Sequence, residues 1–420
     1  MKFPPAPIPG RPWRVALTLL AFACIYVGLI FSPVLLSIGL VGLPVVGVLD
    51  PEKGINPSWI KGLKKLPADP IFWSLALLYL IIVIGFWQTY DWDYYLGRLR
   101  IKSVLMAAPI AWVGLPQLRR IERDGFIVAS VLVMAVTCLV VVINYIINWE
   151  AIDVALRQGQ PVPVPRNHIR FSLLVAITTM LALDLAVNRA FKRHKLWLAL
   201  AAFLFIVQHV LAVRSGLVLA YGGLVVYGLI IAIIRQSWKS LLAGAIGLIA
   251  IAAISVMTIP SLQARWAYLK WELHLIEYGH DNKNYSDNAR LTSIRVGWQI
   301  WKDHPWLGVG PGNLLAETDA RYQREFDIEK GLRPHNQIVS TLAGSGLLGG
   351  ILFYTSAGGL IFGYRRLRRD PLYMSVSAIL FGSMMVENTL ETSAGVAMFT
   401  FFILLLSQTS DLKRNDTVSM

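Results

Sequence analysis

Apolar stretches of membrane-crossing length recur from one end of the chain to the other. They fall at residues 15–31, 34–49, 71–87, 102–116, 126–147, 169–188, 196–213, 216–234, 239–258, 336–363, 372–388 and 393–409. That makes about twelve, the second and fourth being short for a hydrocarbon layer of about 30 Å. Charged residues are only 15% of the chain, against about 25% in soluble domains. A water-soluble core cannot absorb so much apolar sequence. The expected fold is therefore all-α, a polytopic membrane bundle of about 12 transmembrane helices, because helices satisfy their own backbone polar groups in lipid. No small-residue cleavage site separates the first two stretches, so the first is expected to remain as a span.

Basic residues set the expected orientation. With the N-terminus in the cytoplasm, the inner turns hold Arg11 and Arg14, Lys61, Lys64 and Lys65, Arg119, Arg120 and Arg123, Lys192 and Arg193, Arg235, and Arg365 to Arg369. The short outer loops hold far fewer, among them Arg98, Lys102, Arg157, Arg166, Arg170 and Arg214. Both termini are then cytoplasmic. The net charge of +14 is accounted for by these turns and by anionic lipid; no nucleic-acid motif accompanies it. Cys24 and Cys138 lie inside apolar stretches and read as small packed residues. The domain division is 1–258 for spans one to nine, 259–335 for a long outer loop, and 336–420 for the last three spans and a short cytoplasmic tail.

Long ordered loops are usually functional. In this one Leu262, Trp266, Leu269, Leu273 and Ile276 form one apolar stripe at helical spacing, and Leu291, Ile294, Trp298 and Trp301 a second. Two amphipathic helices lying on the outer membrane surface are expected; a small cap packed on itself is the alternative. "HPWLGVGPGN" (304–313) lacks the G-x-G-x-x-G spacing and a preceding strand, so it reads as a tight turn and not a nucleotide loop.

Pro334, His335 and Asn336 then stand where the polar loop meets span ten. Pro334 suits the first turn of a helix, with His335 and Asn336 in that turn beside free N–H groups and the positive dipole end. Such a position disfavours imidazolium, and a neutral imidazole suits a general base. A plain helix cap is the alternative. Arg214 sits at the outer boundary between spans seven and eight, and Arg290 and Arg295 belong to the second loop helix. Outer-face arginine has no role in the positive-inside pattern, and its planar fork suits phosphate oxygens. Ordinary ion pairing with Glu272, Asp287 or Asp303 competes with that role. No set of His, Asp and Glu residues is assigned to a metal, so arginine is expected to neutralise any bound phosphate. Glu387 and Glu391 are the pair that would overturn this; their simpler role is to orient the outer arginines.

The run "ARLTSIRVGWQIWKDHPWLGVGPGN" (289–313), then "RPHNQIVSTLAGSGLLG" (333–349) and the earlier "VRSG" (213–216), resembles the lipopolysaccharide O-antigen ligase and polymerase superfamily. The resemblance implies inverting glycosyl transfer at the periplasmic face of the bacterial inner membrane. The donor would be a glycan on undecaprenyl diphosphate and the acceptor a sugar hydroxyl of lipid A–core. It maps the family histidine to His335, with Asn336 beside it, and the diphosphate-binding arginines to Arg214 and Arg290. Arg265 and Arg295 match less closely. No cofactor is expected, and the reading of the residues above expects no metal. Chain-length polymerases share the motif and much of the topology. Protein O-oligosaccharyltransferases share it too but often extend well past the last span. An ion-coupled transporter, the alternative of another class, should carry acidic residues at mid-membrane, where Asp184 is nearly alone.

Overall fold

A computed structural model describes residues 11–188, 190–277 and 286–417. The helices run α1 (Arg11–Ile30), α2 (Pro33–Val48), α3 (Pro57–Leu63), α4 (Pro70–Val83), α5 (Trp92–Lys102), α6 (Val104–Trp112), α7 (Arg120–Ile147), α8 (Trp149–Arg157) and α9 (His168–Val187). They continue α10 (His194–Leu211), α11 (Arg214–Arg235), α12 (Trp238–Thr258), α13 (Pro260–Glu277), α14 (Ser286–Asp303), α15 (Leu314–Phe326), α16 (Gln337–Phe362), α17 (Pro371–Val386) and α18 (Ser393–Thr417). Among the described residues the only strands are Leu49–Asp50 and Gly54–Ile55, a two-residue antiparallel pair.

Several starts are written into the sequence as a capping side chain followed by proline. Ser32, Asn56, Asp69 and Asp370 each accept a backbone N–H of the turn they cap, and each precedes a proline at the first helical position. Among the described residues, eight helices are long and apolar enough to cross a membrane: α1, the segment Pro70–Gln88 that contains α4, and α7, α9, α10, α11, α12 and α16. The apolar helices of α2, α17 and the start of α18 are shorter. The fourth expected span is the outlier. Its apolar helix α6 runs only from Val104 to Trp112, about 14 Å at 1.5 Å per residue. It continues from the polar helix α5 across a break at Ser103, so the register extends ten residues earlier than hydropathy indicates.

α9 forms the centre of the bundle, with 83% of its apolar window buried, packed by α7, α10, α11 and α17. Tyr26 of α1 meets Thr178 of α9 at 2.7 Å, and Thr178 also donates to Leu174 O within α9. Asp184, toward the C-terminal end of α9, accepts from the Tyr227 hydroxyl of α11 at 3.2 Å. α12 is the opposite case, with 6% of its window buried.

Among the described residues, the segment 259–335 contains three helices where two were expected. α15 was missed; Leu314, Thr318 and Tyr322 are its buried face, spaced by one turn each. The expected apolar stripes are divided, with Leu262, Leu269, Ile294 and Trp301 half-buried. Leu291, Trp298 and Trp266 are exposed, whereas α14 packs Ser293, Val296, Gly297 and Ile300 inward against α16. A Cβ on Gly297 would meet Pro334 Cγ at 2.4 Å, so the small face admits the chain at Pro334. The side chains of Leu273 and Ile276 lie outside the described residues.

Candidate functional site

The site begins with a break in α16. Gly346 has φ +59, a conformation that favours glycine, and it interrupts the helical ladder. The 304–312 turn fills the interruption. Val309 N donates to Ala343 O (3.0 Å) and Gly310 N to Gly344 O (2.9 Å). Leu347 N and Leu348 N donate to Pro305 O (2.8 Å) and Trp306 O (3.3 Å). Gly308 (φ +66) must also be glycine, since a Cβ there would lie 2.5 Å from the Gly344 carbonyl carbon. The glycine-rich turn is thus a clasp that satisfies backbone groups freed inside the bundle. Asn313 ties the clasp to the α4–α5 connection, donating to Gln88 O (2.7 Å) and accepting from Tyr90 N (3.0 Å).

The clasp and α14 fix the entry to α16, where one expectation is corrected. Asn336 is the N-cap, with φ −157, and its side-chain oxygen accepts from Ile338 N (2.9 Å) and Val339 N (3.0 Å). Pro334 and His335 therefore precede the helix and do not form its first turn. Asparagine wins because its side chain satisfies two of the free N–H groups that Pro334 would have left open. Asn336 Nδ2 also donates to Met385 O at 2.8 Å. His335 is held by its own backbone N–H, which donates to Ser293 Oγ of α14 at 3.1 Å.

The His335 ring meets Glu387, at the end of α17, with Nδ1 3.3 Å from Oε2. Arg290 Nη2 meets the other oxygen, Oε1, also at 3.3 Å. Burial alone would raise the Glu387 pKa; the His335 hydrogen bond and charge, with the charges of Arg290 and Arg170, outweigh it and hold the carboxyl below its usual value. An ionised carboxylate only accepts, so His335 Nδ1 carries a proton in either state of the ring, and in the neutral imidazole it is Nε2 that presents the lone pair. That is the arrangement of an oriented general base.

Around this pair the structure gathers cations from distant parts of the chain. Arg170, in the first turn of α9, donates to Thr389 Oγ1 at 3.3 Å. His168, which opens α9, lies within electrostatic reach of Arg265, Arg290 and Glu387. Arg265 itself donates to Gly159 O at 2.6 Å. Arg214 opens α11, and its neighbours Ser215 and Gly216 line a small cavity with Arg170 and Glu387. Arg295 stands apart on the exposed face of α14. Beside Glu387 runs a cleft of about 450 Å³, walled by Pro33, Leu36 and Leu40 of α2 on one side and by Arg166, Arg170 and Asn388 on the other.

Four residues after Glu387, Glu391 builds a second cluster on the other flank of the α16 entrance. Lys102 Nζ lies 2.6 Å from its Oε1, and Arg333 3.9 Å from its Oε2. Gln337 links them, donating to Glu391 Oε1 (3.2 Å) and accepting from Leu390 N (2.9 Å). Arg98 donates to the Glu391 main-chain oxygen at 2.7 Å. Burial would raise the Glu391 pKa, but Lys102, Gln337 and Arg333 together lower it. Both glutamates thus serve as cation partners, and among the described residues no group of three or more His, Cys, Asp and Glu could hold a metal ion. The sequence does contain one Asp-x-Asp pair, Asp91 and Asp93, that the metal-free expectation passed over. Asp91 is spent as the N-cap of α5, accepting from Tyr94 N at 3.0 Å, and Asp93 is exposed.

Arg170 and His168 were not singled out from sequence, yet a signal existed. Arg170 sits in the first turn of an apolar helix just as Arg214 does, and a charge at such a boundary invites the same reading in both. Lys102 and Arg98 gave no such signal, since 289 and 293 residues separate them from Glu391.

No curated protein matches the chain. Residues 198–354 match the family model described as O-antigen ligase, a region that contains Arg214, Arg265, Arg290, Arg295, His335 and Asn336 and ends before Glu387. That match, over 157 of the 420 residues, makes this region similar to the O-antigen ligase family and supports the O-antigen ligase/polymerase superfamily.

Proposed function

We propose that the chain is an O-antigen ligase: a membrane glycosyltransferase that moves a glycan from undecaprenyl diphosphate to a sugar hydroxyl of lipid A–core. The observation that carries the proposal is the Glu387-oriented His335 with Arg290 on the same carboxylate. The acceptor hydroxyl gives its proton to His335 Nε2 as its oxygen attacks the anomeric carbon. The new C–O bond forms on the face opposite the diphosphate, the old C–O bond breaks, and undecaprenyl diphosphate leaves with the electron pair. Inversion follows from that single in-line step. Arg290, Arg170 and Arg214 neutralise the leaving diphosphate, and such fixed charges are often the largest catalytic term. His335 then releases its proton to water. Arg265 supports this group by charge, Asn336 by fixing the backbone next to His335.

The cleft beside Glu387 suits a lipid-linked donor, because one wall is the apolar face of α2 and the other is cationic. Both reactants enter sideways from the membrane. The chain crosses the inner membrane twelve times in this proposal, with the eight long helices joined by α2, the α5–α6 pair, α17 and α18. Both termini are cytoplasmic and the site periplasmic, as the basic inner turns favour. Residues 259–335 form the outer segment between the first nine spans and the last three. The test is purified protein with lipid-linked glycan, with and without lipid A–core. A ligase yields product only with the core acceptor. Glycan elongation on the lipid carrier without core identifies the polymerase of the same superfamily instead.

A further inference from the structure

The Glu391 cluster lines a pocket separate from the His335 ring. Arg98, Lys102, Arg333, Tyr94, Thr341 and Glu391 frame it. Three cations face one carboxylate there. The Arg98 and Arg333 guanidinium groups both lie over the Tyr94 ring, at 5.1 and 5.9 Å from its centroid, and Arg333 donates to the Tyr94 hydroxyl at 3.2 Å. Tyr94 is an ordinary phenol, neutral near pH 7, and supplies no negative charge. Arg333 is beyond hydrogen-bond range of Glu391, at 3.9 Å. Arg98 Nε is buried and makes no hydrogen bond among the described residues. Arg98 and Arg333 are half-buried beside the buried Lys102; like charges partly withdrawn from water are costly without a counter-charge, and one further anion would offset them.

We infer that this pocket is an anion subsite, taking a phosphate or carboxylate carried by the saccharide acceptor. The cavity is about 20 Å³, room for about one water-sized group. An anion's oxygen fits, and the sugar ring that bears it stays at the mouth. The diphosphate of the donor is assigned to the Arg290 and Arg170 side of the α16 entrance, so an anion on the opposite flank belongs to the other reactant. Arg333 and His335 are two residues apart, at most about 7 Å between Cα atoms. An anion held by Arg333 therefore sets where the acceptor hydroxyl stands relative to the base. The inference rests on the proposed glycosyl transfer for the identity of the reactant, and on the charge count for the subsite itself.

The test uses the full chain in detergent and three probes, glucose 6-phosphate, glucuronate and glucose, with binding read by saturation-transfer NMR. At least one charged sugar should bind better than glucose, and which one does separates phosphate from carboxylate. Arg333→Gln should cut that advantage about tenfold, the loss of one charge-assisted contact; Arg290→Ala should keep it. Equal binding of all three probes by the wild-type protein overturns the subsite, and needs no variant to fold. So does an advantage lost in Arg290→Ala but kept in Arg333→Gln, which would put the anion beside Glu387. A charged-sugar preference at Arg333 in a protein that transfers no glycan would sink the ligase proposal and leave the subsite standing.

Discussion

Around Glu387 the contacts are long and the partners half open. His335 and Arg290 both sit at 3.3 Å with side chains 25% and 32% exposed. Around Glu391 the central contact is short and closed: Lys102 at 2.6 Å, both side chains 11% exposed, with Gln337 buried between them and the backbone of the 387–391 turn. The same residue type, one short turn apart, thus serves two purposes. A tight, dry ion pair is costly to break and fixes one arrangement. A loose pair leaves its cations able to exchange a carboxylate for a substrate oxygen. The Glu391 side pins α5, α16 and the 387–391 turn together, so that the Glu387 side can hold reactive groups in place without saturating them.

The largest effect expected is on chemistry at the loose cluster. His335→Ala should lower turnover by about 10²–10⁴, the range for a lost general base, while the thermal midpoint hardly moves. Glu387→Gln should cost about 10² or more, since an amide can donate to Nδ1 and favour the wrong tautomer. The double variant should be no worse than His335→Ala alone, because both changes remove one function. Additive losses would show that Glu387 acts on the arginines and not through the histidine.

The tight cluster should answer in stability first. Glu391→Ala leaves Lys102 buried without its carboxylate, a loss of about 3–5 kcal/mol, visible as a lowered unfolding midpoint in detergent. Both glutamates have folded pKa values below their ordinary one. Their stabilisation is therefore complete above the unfolded value of about 4.3 and is lost as pH falls through the lower folded value. The wild-type midpoint should be insensitive to these groups from neutral pH to about 5 and should fall below about 4.3, with a shallower acid fall in Glu391→Ala. A wild-type-like midpoint in that variant would remove the anchor from the comparison.

How much of this the sequence disclosed follows from the range of each interaction. Span positions are local, and eleven of the twelve expected stretches each fall on one helix, because apolar length is read within a few residues. The fourth failed at its edge, where a polar helix lends its length to a short apolar one. His335 and Asn336 were visible as a polar pair at a span boundary, but their helical register was not, since proline and asparagine both announce a helix start and only the fold decides between them. Glu387 and Glu391 stood out as possible cation holders. Which cations they take depends on α5, α9 and α14, far away in the chain, and no periodicity reports that.

Smaller effects should separate the arginines. Arg290→Lys keeps the charge and loses the fork, so donor KM should rise several-fold, less than the about 1.5–3 kcal/mol that a whole hydrogen bond to a charged group is worth. Arg214→Ala and Arg170→Ala should likewise raise donor KM more than acceptor KM. Arg295→Ala, on the exposed face of α14, should stay within about 0.5 kcal/mol of wild type in stability and change donor KM least of the four. Donor and acceptor titrations run separately on each variant decide this, and an Arg295 effect as large as that of Arg290 would redraw the donor side of the site.

The smallest effect expected is that of chelation. A divalent cation bound by protein needs oxygen ligands that are free to coordinate it, and the acidic groups near His335 are otherwise engaged. Glu387 uses one oxygen for His335 and the other for Arg290. Glu391 uses one for Lys102 and Gln337 and turns the other toward Arg333. Asp91 caps α5. Recruiting Glu387 to a metal would unpair Arg290 and reverse the tautomer argument for His335, while recruiting Glu391 would break the buried pair that anchors α5. Fixed arginines can instead meet the charge that develops on a leaving diphosphate. Transfer by purified protein should therefore be unchanged in excess EDTA, with the same donor and acceptor KM. Activity that vanishes with chelator and returns with Mg²⁺ or Mn²⁺ would erase the distinction between the two clusters, because at least one of these carboxylates would then have to leave its cation during turnover.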